Sequence, residues 1–272
     1  MKPRPAGRPR KYKDDAERQR ACRERKASRN QDQVSRNIAR QQVVLSLFPG
    51  ADLFGRAFEA LGFCVVRGPE LLLGQDIRDF HVPRGRFDGI IGGPPCQAFS
   101  RAAITGTDAV DLIPEFIRIV EESRPAWAVM ENVPEARKAC HVWPSIILSD
   151  WNCGGNTFRR RCFWFNGVPL PTLPARRAGK PEYSVLAMSW NTQKPLSSRH
   201  AAPLSAERAA ELQGYPGLGR MLFENLPGGQ ATRGDWKGVS LRSRNVFAVH
   251  VLGNGVPAAL GNFVARHVLS NL

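Results

Sequence analysis

One cysteine in this chain stands in an unusual setting. Cys96 lies in Gly92-Gly93-Pro94-Pro95-Cys96-Gln97-Ala98-Phe99-Ser100, directly after the apolar run Phe87-Asp88-Gly89-Ile90-Ile91. Two glycines let the backbone turn sharply, and two prolines fix φ, so the segment presenting the thiol is stiff. A rigid cysteine at a strand end suits a nucleophile, because a thiolate must be held where it can reach an electrophile. A turn with an incidental buried cysteine accounts for the same residues, and taken alone the stretch slightly favours that reading. Two other short stretches bear charge. Glu131-Asn132-Val133 ends the run Ala126-Trp127-Ala128-Val129-Met130, and Arg159-Arg160-Arg161 sets three guanidiniums in a row. Read plainly, they are an exposed strand-end carboxylate and a phosphate-binding cluster.

A second constellation concerns a nucleotide. Gly50 follows Val43-Val44-Leu45-Ser46-Leu47-Phe48 and opens an amphipathic segment, and Glu70 follows about 20 residues later, after a second apolar run. A close backbone approach at the first turn plus a carboxylate for ribose hydroxyls is the geometry of a dinucleotide-type pocket. No P-loop is present, which argues against a tightly held triphosphate.

These residues need a scaffold. The apolar runs 43–48, 63–66, 87–91 and 126–130 read as buried strands, and 52–62 and 113–123 as helices between them. The alternation predicts an α/β fold, a doubly wound, mostly parallel sheet of Rossmann-like type. In such sheets ligands bind beyond the carboxyl ends of the strands, where Phe48-Pro49-Gly50, the Cys96 stretch and Glu131-Asn132-Val133 all fall. Helices are expected at 205–213, capped by Ser205, and at 258–269, with a strand at 246–252 and a loop at 217–240. Residues 168–203 show little periodicity and read as a small irregular region. The division expected is an arm over 1–40, a domain core over 41–167, an inserted region over 168–203, supplemented by 217–240, and a return to the core over 204–272.

The 272 residues suffice for one such domain. No run of about 18 apolar residues occurs, so no membrane span is expected. The N-terminal residues lack the apolar stretch of a secretory signal, and a cytoplasmic location is expected. The six cysteines form no CxxC pair and no zinc-like spacing, so free thiols and no metal are expected. The net charge is +15, and residues 1–40 carry 14 Lys and Arg against 5 Asp and Glu. A chain so basic at one end associates with polyanions. The arm reads as solvated, with a helix over about 14–40. Its Gly7-Arg8-Pro9-Arg10-Lys11 resembles an AT-hook core, whose arginines enter a narrow A·T minor groove; a basic tail touching phosphates fits equally well.

Val43 to Leu269 resembles the cytosine-C5 DNA methyltransferases, with five blocks in the family order. Gly93-Pro94-Pro95-Cys96-Gln97 with Phe99-Ser100 resembles the nucleophile motif, Glu131-Asn132-Val133 the base-recognition motif, and Arg159-Arg160-Arg161 the Gln-x-Arg-x-Arg motif. Leu204 to Pro216 resembles the helix and turn after the recognition region, and Gly253-Asn254-Gly255-Val256-Pro257 the last cofactor block. The resemblance implies transfer of methyl from S-adenosyl-L-methionine to C5 of a flipped cytosine in double-stranded DNA, in a restriction–modification setting. It implies Cys96 as the attacking thiolate, Glu131 on N3 and the amine of the base, and Arg161 on O2 with Arg159 nearby. Phe48, Gly50, Glu70, Asp76, Pro94, Asn254 and Val256 would hold the cofactor. Gln97, Ser100 and Arg101, with Arg8 and Arg10 of the arm, would meet DNA. Ser100 to about Asp111 resembles the mobile loop that closes over the base, and 168–203 takes the place of the target-recognition region. A monomer is expected.

The chain departs from the family at Asp52 and Leu53, where further glycines are usual, and at Thr157, where the family has Gln. The rivals are a tRNA cytosine-C5 methyltransferase on the same motifs, an inactive DNA-binding protein with this fold, and a small-molecule methyltransferase, which the charge disfavours.

Overall fold

The computed structural model describes residues 17–26, 42–70, 74–99, 110–181, 183–187, 192–195, 202–203, 205–225, 230–231, 234–235, 248–249 and 251–272. The strands of the main sheet are β1 (Val43–Leu47), β2 (Cys64–Arg67), β3 (Gly89–Gly92), β4 (Trp127–Asn132), β5 (Ser145–Ser149) and β6 (Arg160–Asn166). Their order is β2-β1-β3-β4-β6-β5. The pairs β1–β2, β1–β3 and β3–β4 are parallel, whereas β6 runs antiparallel to both β4 and β5. The expected doubly wound sheet is therefore present, with an antiparallel β5–β6 return at one edge that the sequence reading did not include.

Both faces of the sheet are covered, which is why its central strands read as continuous apolar runs. All six residues of β4 are buried. Trp127 and Val129 enter one core with Phe54, Phe58, Phe163, Leu260 and Val264, while Ala128 and Met130 enter the other with Phe116, Ile119 and Trp164. The first core packs against α2 (Leu53–Glu59) and α7 (Ala258–Leu269), and the second against α3 (Ile113–Ser123). Helix α3 buries Ile113, Phe116, Ile119, Val120 and Ser123, the 3–4 spacing of one helical face. Pro114 occupies its first turn, and Arg124 ends it in the left-handed region at φ 47°.

The rest of the chain is shorter in its elements. Residues 17–26 form α1, part of the helix expected for the arm, and the arm's other residues lie outside the described ones. Within 168–203 lie β7 (Tyr183–Ala187), β8 (Thr192–Pro195) and β9 (Ala202–Pro203), an antiparallel three-stranded sheet that the composition did not announce. Helix α4 (Ala206–Leu212) begins as expected: Ser205 accepts from the Arg208 N–H at 3.1 Å. The stretch read as loop contains α5 (Leu218–Asn225) and a small ladder of β10 (Gln230–Ala231) with β11 (Gly234–Asp235).

The expected strand at 246–252 is a correction. Residues 248–249 and 251–254 are helical and form α6. Ala248, Val249 and Leu252 are all buried against α4 residues and Leu53, a helical spacing that a short apolar run disguises. No helix among the described residues is long and apolar enough to cross a membrane.

Candidate active site

The carboxyl ends of β1, β3 and β4 define one edge of the sheet, and the antiparallel β6 starts there. Asn132 pairs with Cys162 and Glu131 with Phe163, so the strand-end carboxylate and the arginines before β6 meet at the same edge. The Arg161 Nε lies 2.7 Å from Glu131 Oε1 in an ion pair that is nearly closed to solvent. Arg161 also donates to the carbonyl of Arg160 at 2.8 Å. Breaking such a pair strands a buried charge, so each partner fixes the other.

Cys96 joins this cluster from β3. The backbone leaving Gly92 passes so near Glu131 that a Cβ on Gly93 would sit 2.8 Å from Glu131 Oε2 and would push that carboxylate aside. Beyond it, the buried Asn132 donates from its side-chain amide to the carbonyl of Pro94 at 3.1 Å and accepts the Val133 N–H at 2.8 Å. The Phe99 N–H donates to the carbonyl of Cys96 at 3.0 Å and closes the turn. The thiol is partly buried rather than sealed within the core. Burial and the Glu131 carboxylate push the thiol above its ordinary range, while Arg161 and Arg159 pull it down. Burial likewise raises the Glu131 carboxyl, with Arg161 and Arg159 opposing.

Arg159, expected near the base-contacting Arg161, reaches across to another part of the chain. Its guanidinium is 3% exposed and donates to the carbonyl of Gly253, with that of Gly255 at 3.4 Å. Burial and Arg161 lower it to about 9, so it keeps its charge at neutral pH. Arg159 thereby anchors the 253–257 block to the edge that carries Cys96. Thr157 donates its N–H and its hydroxyl to Asp150 Oδ2 at 2.9 and 2.8 Å, and so shapes the turn between β5 and β6.

The second constellation assembles at the end of β1. Gly50 has φ +52° and open space where a side chain would project, and its N–H donates to Glu70 Oε2 at 2.8 Å. The Gln75 N–H reaches the carbonyl of Glu70 at 3.3 Å, and Asp76 caps a one-turn 3-10 helix, Ile77–Asp79. Arg78 grips the Asp76 carboxylate and lowers it to about 2. Pro94 and Val256 are buried, and Asn254 is exposed. A Cβ on Gly255 would strike Leu53, so the 253–257 block abuts the turn that follows β1.

Asp52 replaces an expected glycine by satisfying its own surroundings. It adopts the left-handed conformation at φ 50° and is 3% exposed. Its carboxylate accepts from Ser46 Oγ at 2.7 Å and the Gly55 N–H at 3.0 Å, and pairs with Arg67 Nε at 2.9 Å. Leu53 is buried, and its carbonyl accepts from the Tyr215 hydroxyl at 2.6 Å.

Of the predicted residues, Cys96, Glu131, Arg159 and Arg161 converge at one edge, and Phe48, Gly50, Glu70 and Asp76 lie around the neighbouring turns. Gln97 is exposed. Ser100, Arg101, Arg8, Arg10 and most of the expected mobile loop lie outside the described residues. Sequence reasoning gave no role to Asn132, Arg67 or Tyr215. Asn132 and Tyr215 carried a signal, as members of the Glu131-Asn132-Val133 and Leu204 to Pro216 blocks; Arg67 carried none. Among the described residues no group of three His, Cys, Asp or Glu could hold a metal ion. A groove of about 830 Å³ is lined by Gly155, Gln213, Ala258 and Arg266 among others, but by none of Cys96, Glu131, Arg161 or Gly50.

Residues 74–149, which include Cys96 and Glu131, match the family model described as C-5 cytosine-specific DNA methylase. Type II methyltransferase M.FnuDI of Fusobacterium nucleatum is 34% identical over 138 residues, 42% of this chain and 40% of that protein. Type II methyltransferase M1.HphI of Haemophilus parahaemolyticus is 32% identical over 117 residues, 33% of this chain and 32% of that protein. Over these stretches the chain is similar to cytosine-C5 DNA methyltransferases, the family its motifs resemble. It spans only 29% to 40% of the length of such curated relatives.

The fold extends the likeness further than the sequence. The Entamoeba histolytica methyltransferase EhMeth superposes with a TM-score of 0.55 at 11% identity, over 84% of this chain and 98% of that one. A Spodoptera frugiperda DNMT2 mutant gives 0.54 at 13% identity, over 84% and 99%. The expected Rossmann-like methyltransferase fold is borne out.

Proposed function

We propose that this protein transfers a methyl group from S-adenosyl-L-methionine to C5 of a cytosine flipped out of duplex DNA, through a covalent bond between Cys96 and C6. The observation that carries the reading is the convergence of Cys96, Glu131 and Arg161 on one sheet edge, beside the turn at Gly50.

Cytosine C5 is a weak nucleophile, and addition of a thiolate at C6 places an electron pair on C5. In this reading Cys96 attacks C6 as a thiolate. Glu131, raised by its burial, holds a proton at N3 and so offsets the charge that develops in the ring. Arg161 steadies O2 while fixing Glu131 from the other side. When bound, the cofactor supplies an electrophilic methyl on a sulfonium. After transfer the C5 proton leaves to solvent, the C6–sulfur bond breaks, and Cys96 departs with its electron pair. Both faces of the base must be reached, so it has to leave the duplex.

The cradle at Gly50 fits the cofactor: an open glycine turn, with Glu70 beside it for the ribose and Asp76 for the adenine amine. Phe48 would stack on adenine, and Pro94, Asn254 and Val256 would close the far side. We assign 41–167 and 204–272 to catalysis, 168–203 to target recognition and 1–40 to DNA contact, with Gln97, Ser100, Arg101, Arg8 and Arg10 at the DNA, acting as a monomer in the cytoplasm. The charge of +15 supports a nucleic acid substrate.

Labelled methyl donor offered with duplex DNA beside tRNA tests the proposal. Label in 5-methylcytosine of the duplex is expected; label in tRNA alone, or in neither, would overturn it.

A further inference from the structure

Arg118 has a set of contacts that its helix does not need. It lies on α3, which the apolar residues Ile113, Phe116, Ile119 and Val120 already hold to the sheet. Its guanidinium nevertheless makes four directed bonds to oxygen, and His81 Nδ1 lies 3.3 Å from Nη1. Nε donates to Glu115 at 2.7 Å and Nη1 to Glu122 at 2.7 Å. Nη2 donates to the carbonyls of Ile77 and Phe80 at 2.9 and 3.0 Å. The two carboxylates thus orient a planar fork toward the backbone of the 77–80 turn, with the side chain only 27% exposed.

That turn is weakly held from within. Its own bonds, Asp79 N–H to Asp76 and Phe80 N–H to Ile77, are long at 3.3 and 3.2 Å. A single turn leaves its carbonyls short of intrahelical donors, and Arg118 supplies two. Ile77 is the turn's buried residue. Arg78 fixes the Asp76 side chain to the turn but not the turn to the sheet. The polar ties to α3 are the Arg118 fork, which alone reaches the turn's carbonyls, and, one residue past the turn, His81 Nδ1 at 3.2 Å from the Glu122 carboxylate.

We propose that Arg118 is a positioning residue for the methyl donor: through the carbonyls of Ile77 and Phe80 it sets where Asp76 stands and thereby the affinity for the adenine end. The inference rests on the reading that Asp76 meets the adenine amine. Charge-assisted bonds of this kind keep a loop in one geometry without touching the ligand.

The test uses the full chain and S-adenosylhomocysteine as probe, with its Kd measured by calorimetry. Arg118→Gln is expected to weaken binding about tenfold, the effect of losing charge-assisted bonds to the turn. Affinity for duplex DNA should stay within about twofold of wild type, which separates positioning from general loss of structure. Hydrogen exchange at the Asp79 and Phe80 amides should quicken. Arg118→Lys keeps the charge but not the fork, so it should recover only part of the affinity. Wild-type affinity in Arg118→Gln, with unchanged exchange, would overturn the inference. Should that variant not fold, Glu115→Gln with Glu122→Gln leaves the guanidinium in place but unoriented. Weaker binding is expected there, and unchanged binding sinks the idea equally. Failure of the wild-type chain to bind S-adenosylhomocysteine would overturn the cofactor reading itself, and the inference with it.

Discussion

The side-chain amide of Asn132 donates to the carbonyl of Pro94 at 3.1 Å and so ties the end of β4 to the segment that presents Cys96. Two short motifs far apart in sequence are one mechanical unit. Asn132→Ala removes the donor and leaves a buried carbonyl unpaired, at a cost of about 1–3 kcal/mol. Methyl transfer should fall by about 100-fold, because the thiol drifts from its line of attack. Melting curves beside single-turnover rates separate the two effects; a loss of rate no greater than the loss of folded protein would refute the positioning role.

Cys96→Ala should abolish methylation and leave cofactor binding intact. Duplex DNA containing 5-fluorocytosine should trap the wild-type chain as an adduct that survives denaturation, because fluorine cannot leave C5 as a proton does. Denaturing gels check the adduct. Full activity in the alanine variant removes the thiol from the mechanism.

The charges around Cys96 predict a counterintuitive result. Burial and Glu131 raise the thiol, so the thiolate is scarce at neutral pH and alkylation by iodoacetamide should accelerate as pH rises. Glu131→Gln removes the negative neighbour and leaves Arg159 and Arg161. Its Cys96 should alkylate faster than wild type at neutral pH, although methylation is lost. Alkylation rates measured from pH 6 to 10, in about one-unit steps, test this; slower alkylation in the variant would contradict the electrostatic account.

Asp52 is a left-handed residue that caps α2. Asp52→Ala loses the cap, worth about 1 kcal/mol, and puts alanine at φ 50°, at a further 1–2 kcal/mol or so. Asp52→Gly relieves the backbone but still loses the bonds to Ser46 and Gly55, so it should cost about 1–2 kcal/mol less than the alanine variant. Urea midpoints of the two variants compare them directly; equal losses would show that the carboxylate matters more than the backbone.

Residues 1–40 carry 14 Lys and Arg against 5 acids, so their deletion should weaken DNA binding and flatten its dependence on salt. Affinities across a salt series check this, and an unchanged slope would exclude the arm as a phosphate contact.

Legibility followed the range of the interactions. Helices α3 and α7 were readable to the residue, because each carries an apolar stripe and has a proline at its start, Pro114 and Pro257. Strands β1 to β4 showed as apolar runs ended by turn residues. The β5–β6 hairpin was not readable, since Arg160-Arg161 drew attention as charge rather than as the start of a strand. The run at 246–252 was misread because few residues cannot separate a period of 2 from one of 3.6. In the site, Cys96, Glu131 and Arg161 were visible as residue types in motifs. Their supports were not: Arg159 reaches Gly253, Arg67 pairs with Asp52, and Tyr215 holds Leu53, and no local pattern encodes such pairings.

The bond from Arg159 to Gly253 also has a consequence in time. The segment that Arg159 holds is translated well after the strand ends it must meet. A ribosome-bound chain that has already threaded β1 to β6 still lacks its last wall, and the long loop it must close makes that joining slow. A nascent chain stalled before residue 257 would lack both this joint and the α7 residues Leu260, Val264, Ala265 and Val268, which complete the first core.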